Sequence, residues 1–329
     1  MMKNFKHNNT VKKIIKALKE KSAWTIICHE NPDGDTLGSG LALYSLALRL
    51  NKKASIIGRD PLPETYRFLP YANDYKQCDK IPNFLKDEVI ICVDISNEAR
   101  SIDQFSKLKD LELLTINIDH HGDNENFCSL NLVIPRVSAT AEIITNLFIA
   151  GNFDMISKEA TALYVGLVTD NGNFRFSSTT PSSHECAAYL IKMGARPAEV
   201  DTIMMQNLTM PVLKLWGKAF SRAEILANDK AAIFWLEDKD FKEIEENLSS
   251  VDGLVNTLLR IKGVDVAVLA CEYDCSVKLS IRTRTPYNAR EIASVFGGGG
   301  HIEAAGAKVT GNLSEVLSKL RSILNQKCL

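Results

Sequence analysis

Four short apolar runs, Trp24–Cys28, Ala54–Gly58, Val89–Asp94 and Leu113–Ile118, alternate with helical patterns over the first half of the chain. This alternation admits little besides a parallel sheet covered by helices. The runs are continuous in apolar and β-branched residues, as strands buried on both faces require. Helices are expected at Leu37–Leu50, Ala139–Ile149 and Glu159–Val168. Pro61, Pro63, Pro70 and Pro82 punctuate the stretch between the second and third runs, which reads as loops with one short helix.

Beyond Ser182 the pattern turns helical, at Glu185–Met193, Val200–Gln206 and Val212–Ile225. Strands return at Ala231–Leu236 and as a hairpin of Val264–Glu272 with Ser276–Thr283 about Tyr273-Asp274-Cys275. Amphipathic helices are expected at Asp252–Ile261 and Leu313–Leu324. The expected architecture is α/β: a doubly wound, mainly parallel domain over 1–190, a helical connector over 191–228, and a smaller α+β domain over 229–329. Residues 276–329 hold eight Lys or Arg against three Glu, a net of +5. A basic second domain opposite an acidic first one suggests an active-site cleft with metal on one side and phosphate on the other.

Composition narrows the function. Lys plus Arg number 39 against 40 Asp plus Glu. A protein that grips long duplex nucleic acid carries a basic excess, because phosphate neutralisation supplies most non-specific affinity. Short phosphate-bearing substrates stay open. No stretch approaches the roughly 18 apolar residues of a membrane span. The Lys-rich start, with Val11, Ile14, Ile15 and Leu18 at helical spacing, lacks a secretory pattern. A cytoplasmic location is expected. The eight cysteines form no CxxC pair and read as reduced thiols. Cys271 and Cys275, flanking a turn, are a poor match to zinc-ligand spacing.

The densest chemical signal follows the first strand: His29-Glu30-Asn31-Pro32-Asp33-Gly34-Asp35. Ligands bind beyond the carboxyl ends of strands in doubly wound sheets. Asp33 and Asp35 stand two apart on a loop, and such close carboxylates repel unless a cation lies between them. By itself this is equally a surface turn with Asp35 or Thr36 capping a helix. However, the third strand ends in Asp94, the fourth in Asp119-His120-His121, and a later apolar helix in Val168-Thr169-Asp170-Asn171-Gly172. Asp or His side chains at four places on one sheet edge indicate a two-metal site. Mixed Asp and His ligands suit Mn²⁺ best, with Mg²⁺ or Co²⁺ as alternatives. Two cations roughly 3.5–4 Å apart can share a bridging carboxylate and a bridging hydroxide, and they offset the charge that builds during in-line attack on phosphorus. The expected reaction is hydrolysis of a phosphoester or phosphoanhydride.

In the second domain, Arg282 and Arg284 stand two apart and would share one strand face, as a phosphate clamp or as solvated charge. Gly297-Gly298-Gly299-Gly300-His301 permits close backbone approach to an anion, and a helix is expected from about Ile302 through the Ala-rich segment Ala304-Ala305-Gly306-Ala307. A P-loop is absent, and Gly34–Gly40 lacks dinucleotide-site spacing.

His29-x-Asn31-Pro32-Asp33-Gly34-Asp35-x-x-Gly38-Ser39, Asp94, Asp119-His120-His121 and Val168-Thr169-Asp170 resemble the four successive motifs of the DHH phosphoesterase family. Gly298-Gly299-Gly300-His301 with Arg282 resembles its DHH-associated second domain. The resemblance implies that His29, Asp33 and Asp94 hold one metal. Asp35, Asp94, His120 and Asp170 would hold the other, with Asp94 shared. It also implies that Asp119 orients the ligand set and that His121 faces the substrate, to stabilise a phosphoryl oxygen or protonate the leaving group. Arg282, Arg284, Gly298, Gly299, Gly300 and His301 would grip the phosphate or terminal nucleotide. Asn171 departs from a frequent Thr, and Thr283 from a frequent Ser.

Within the family the two-domain form resembles the nano-RNase and pAp phosphatase group. That resemblance implies manganese-dependent hydrolysis of short single-stranded RNA to mononucleotides, and of adenosine 3′,5′-bisphosphate (pAp) to AMP. Expected partners are thus short RNAs and nucleotide phosphates, without membrane or long duplex nucleic acid, and a homodimer is compatible. Alternatives are hydrolysis of cyclic di-AMP or pApA, and a catalytically silent nucleotide-binding protein, which would predict a broken ligand set. A family pyrophosphatase would carry a Lys/Arg-rich tail motif where GGGH stands, and an exonuclease of long single strands would carry a further binding domain.

Overall fold

The computed structural model describes residues 5–78, 87–103, 105–111, 113–206, 208–245, 247–251, 253–300 and 302–327. The chain divides into two compact units, residues 1–206 and 207–329.

The first unit runs α1 (Asn9–Glu20), β1 (Ala23–Cys28), α2 (Gly34–Arg49), β2 (Lys53–Gly58), β3 (Tyr75–Gln77), β4 (Glu88–Val93), β5 (Leu114–Asp119), β6 (Leu130–Val133), α3 (Thr140–Gly151), α4 (Ser157–Asp170), α5 (Pro181–Lys192) and α6 (Pro197–Met205). Its six strands are all parallel, in the order β3-β2-β1-β4-β5-β6. The chain winds outward from β1 to β3, then returns to lay β4 on the other side of β1. The carboxyl ends of β1 and β4 therefore flank a switch point, where doubly wound sheets bind ligands. Every residue of β1 and β4 is buried. Trp24, Ile26 and Cys28 pack with Leu37 and Leu41 of α2 and Leu163 of α4. Ile27, Ile90 and Cys92 point the other way, toward Ile95, Phe105 and Leu108. That second face carries loops and a 3-10 segment (Phe105–Leu111) where the α-helices of the first face have no counterpart among the described residues.

The four expected strands form within a residue of their expected ends. Helix α2 begins three residues earlier than expected, because the Asp33 carboxylate accepts the backbone N–H groups of Asp35 (2.9 Å) and Thr36 (3.1 Å). Asp33, not Asp35 or Thr36, is the cap. Gly38 lets α2 press on α4, since a Cβ there would lie 2.2 Å from the Ala162 carbonyl oxygen. Pro82 lies outside the described residues.

The second unit runs α7 (Met210–Ser221), β7 (Glu224–Leu226), β8 (Ala231–Leu236), α8 (Asp238–Lys242), β9 (Val266–Tyr273), β10 (Ser276–Thr283), α9 (Ala289–Ser294), β11 (Gly299–Gly300), β12 (Ala304–Thr310) and α10 (Leu313–Lys327). Its strand order is β11-β12-β10-β9-β8-β7, antiparallel except for β8 beside β9. The expected hairpin is β9–β10, turned by Asp274 and Cys275 at φ 49° and 58°, the left-handed pair of a tight two-residue loop.

Three segments differ from their expected form. The Ala-rich segment after the glycines is strand β12, with Ala304 opposite Arg282 and Ala307 opposite Leu279. Its small residues leave room for the glycine strand, because a Cβ on Gly298 would lie 2.1 Å from the Gly306 carbonyl oxygen. Alanine's helix preference yields to this pairing. The helix expected over Val212–Ile225 ends at Ser221, and Ile225 lies in β7. The segment expected as a helix over Asp252–Ile261 holds 3-10 turns at Leu254–Arg260, with Asp252 itself outside the described residues.

Candidate metal centre

The loop after β1 supplies His29 and Asp33, and the first turn of α2 supplies Asp35. Asp94 follows β4 directly, at φ 62°, a left-handed conformation uncommon for Asp and frequent at functional sites. Asp119 is the last residue of β5, His120 and His121 follow it, and Asp170 closes α4. Parallel strands put these ends on one edge of the sheet.

The side chains converge on Asp94. Its Oδ2 lies 3.6 Å from His29 Nε2, and its Oδ1 lies 3.6 Å from both His120 Nε2 and His121 Nδ1. His29 Nε2 is 3.4 Å from Asp33 Oδ1, and His120 Nε2 is 3.2 Å from Asp170 Oδ2. Three groups have ligand atoms mutually within 4.8 Å: His29–Asp33–Asp94, Asp35–His120–Asp170 and Asp94–His120–His121. All six residues expected as metal ligands fall in these groups.

The imidazoles are oriented for metal. His29 Nδ1 lies 2.5 Å from the Glu30 carbonyl and His120 Nδ1 lies 3.3 Å from that of Val137. A carbonyl only accepts, so each ring puts a proton on Nδ1 and faces the carboxylates with Nε2. Nε2 and a carboxylate oxygen at that range need a metal cation or a second proton between them.

The titration of the cluster records the same frustration. Burial opposes charge on His29, but Asp33 and Asp94 overcome it and push its pKa up to about 10. Burial, with Asp94 and Asp33 adding to it, pushes Asp170 up to about 7 against the pull of His120 and His121. Burial and the Asp94, Asp170 and Asp33 charges push Asp35 well above the carboxylate range. Asp94 runs opposite: burial alone would raise it, yet His29, His120 and His121 hold it low. Without an added positive charge, ionising every carboxylate is disfavoured. Divalent ions would supply that charge, and hard oxygen with imidazole nitrogen is a suitable donor set. The residues present therefore fit a divalent metal centre.

Asp119 and His121 form a separate pair. His121 Nδ1 donates to Asp119 Oδ1 at 2.7 Å, the His120 N–H donates to the same oxygen at 2.8 Å, and Asn124 Nδ2 donates to Oδ2 at 2.5 Å. Asp119 is fully buried. Burial disfavours charge on His121 as well, but Asp119 first and Asp94 second push it up to about 9.

Sequence reasoning missed the amino end of α3. The backbone N–H groups of Thr140 and Ala141 donate to Asp35 Oδ2 (2.6 Å) and Oδ1 (2.9 Å), and Thr140 Oγ1 donates to Asp94 Oδ1 at 2.9 Å. Ser138-Ala139-Thr140-Ala141-Glu142 resembles a helix start, but nothing in it signals that the cap acceptor comes from a distant Asp.

In the second unit Arg282 is on β10 and donates from Nη1 to the Ile281 carbonyl at 2.9 Å. Arg284 lies just past the strand, and its N–H donates to the Asp265 carbonyl at 2.8 Å. Gly299 and Gly300 are exposed in β11, with Gly298 preceding them, and His301 lies outside the described residues. Cys271 is buried in β9 while Cys275 is exposed in the hairpin loop, and neither falls in a metal-competent group among the described residues. Among those residues no helix is long and apolar enough to cross a membrane.

Comparison with known proteins agrees with this geometry. Residues 24–167 match the model of the DHH family N-terminal domain, and residues 229–327 match the DHHA1 domain. The chain is 32% identical over 286 residues to the bifunctional oligoribonuclease and PAP phosphatase NrnA of Thermus thermophilus, covering 87% of this chain and 84% of that protein. It is 25% identical over 301 residues to the cyclic-di-AMP phosphodiesterase PdeA of Listeria monocytogenes, covering 86% of this chain but 44% of that protein. A crystal structure of an exopolyphosphatase-related protein from Bacteroides fragilis shares the fold, with a TM-score of 0.88 at 24% identity over 96% of both chains. The chain belongs to the DHH phosphoesterase family.

Proposed function

We propose that this chain is a two-metal phosphoesterase that hydrolyses short oligoribonucleotides to mononucleotides and pAp to AMP. The observation that carries the reading is the convergence of three metal-competent groups about the buried Asp94 carboxylate. The similarity to NrnA, named for both activities, supports these substrates. His29, Asp33 and Asp94 would hold one ion; Asp35, Asp94, His120 and Asp170 would hold the other. Mn²⁺ suits this oxygen and imidazole set best. When bound, the pair supplies an activated water and offsets charge on the phosphoryl group. Asp119 fixes His121 through Nδ1 and favours the protonated ring, whose Nε2–H can donate to a phosphoryl oxygen or the leaving oxygen. Arg282, Arg284 and Gly298–Gly300 bind the phosphate or terminal nucleotide. The near-neutral overall charge favours short substrates over long tracks of nucleic acid.

Product analysis with Mn²⁺ on pAp, a labelled RNA trimer, pApA and cyclic di-AMP tests the reading. It predicts AMP from pAp and mononucleotides from the trimer. Rapid loss of cyclic di-AMP or pApA with pAp untouched would instead favour the second reading, to which the PdeA similarity points.

A further inference from the structure

The helix start that carries Thr140 is unusual in its cap. Ala139, preceding α3, is extended and has no side-chain acceptor, so the first N–H groups of the helix need a partner from elsewhere. Asp35 of α2 supplies it, one carboxylate oxygen to Thr140 N–H and the other to Ala141 N–H. The Thr140 hydroxyl meanwhile donates to Asp94. One fully buried residue thus holds, by backbone and by side chain, carboxylates from two different metal-competent groups. The first turn of α3 is itself anchored. Glu142, fully buried, accepts from Ser138 Oγ and Ser183 Oγ at 3.4 Å each and from Ser182 Oγ, tying α3 to the first turn of α5.

We propose that Thr140 is a positioning residue that locks the Asp35 and Asp94 carboxylates in register, so that the two ion positions fill as a pair. The inference rests on the two-ion reading above. Hydrogen-bond partners of metal ligands orient those ligands, and their loss typically weakens metal binding roughly 10–100-fold. Thr140 differs from an ordinary partner in touching ligands on both sides of the centre. Removing its hydroxyl frees Asp94 to rotate, while the backbone bond to Asp35 survives.

The test is Mn²⁺ titration of the metal-free full-length chain, with free Mn²⁺ followed by electron paramagnetic resonance. Wild type should take up two ions over one narrow concentration range. Thr140→Ala and Thr140→Val should bind the second ion roughly tenfold or more weakly, splitting the isotherm. Thr140→Ser should restore the single range. Val keeps the side-chain volume and Ala the helix preference, so either variant that folds decides the matter. If both fill two positions at wild-type concentrations, or if Ser is as weak as Ala, Thr140 has no such role. Uptake of fewer than two ions by wild type would remove the two-ion reading itself.

Discussion

His120 Nε2 and Asp170 Oδ2 stand 3.2 Å apart, with the other ring nitrogen of His120 turned toward the Val137 carbonyl. The contact joins the end of β5 to the end of α4, and it sets His120 Nε2 against the Asp170 carboxyl group. A cation resolves that opposition, and Asp94 connects it to the matching pair at His29 and Asp33.

Asp94 should be the least replaceable residue. Asp94→Ala removes the carboxylate common to two of the three groups, so kcat should fall by at least ~100-fold and bound manganese should fall with it. Atomic absorption of the purified variant beside its rate on pAp checks this. Undiminished metal content with full activity would contradict the shared role.

Arg282 should act on substrate alone. Arg282→Ala is expected to raise KM for pAp with little change in Mn²⁺ affinity, because it belongs to the second unit and is a member of none of the metal-competent groups. Steady-state kinetics and a metal titration on the same preparation separate the two. A fall in metal affinity at unchanged KM would remove the clamp.

In the metal-free protein, stability should decline as pH rises. The Asp33 and Asp94 carboxylates push His29 to about 10, and Asp119 and Asp94 push His121 to about 9, both against burial. A histidine raised above its unfolded value near 6.5 contributes stability that is complete below that value and lost as pH rises through the folded one. The melting temperature in chelator should therefore drop between about pH 6.5 and pH 10. A flat or rising profile would contradict the assignment of partners.

Gly38→Ala tests packing beneath the site. The added methyl would meet the Ala162 carbonyl at 2.2 Å, inside the α2–α4 contact. Overpacking of this kind costs about 1–3 kcal/mol. Denaturant unfolding should show that loss.

Much of the first unit was legible in the sequence because a parallel strand buried on both faces is mostly apolar, and β1 and β4 are, apart from Thr25 and Glu88. Strand ends then located the chemistry, since Asp94 and Asp119-His120-His121 stop otherwise apolar runs. Strands β3 and β6, of three and four residues, are too short to leave a pattern. Strand β12 was hidden by its alanines, which favour helix locally and adopt a strand only because β10 and the glycine segment pair with it. The role of Thr140 was invisible for a different reason. Its bonds to Asp35 and Asp94 depend on where α3 begins in space, which no local spacing encodes.

A pair of ions about Asp94 should be visible by anomalous diffraction from crystals grown with Mn²⁺. The expected map has two peaks with the Asp94 carboxylate between them, one beside His29 and Asp33 and the other beside Asp35, His120 and Asp170. A single peak, or peaks away from Asp94, would rule out the paired site.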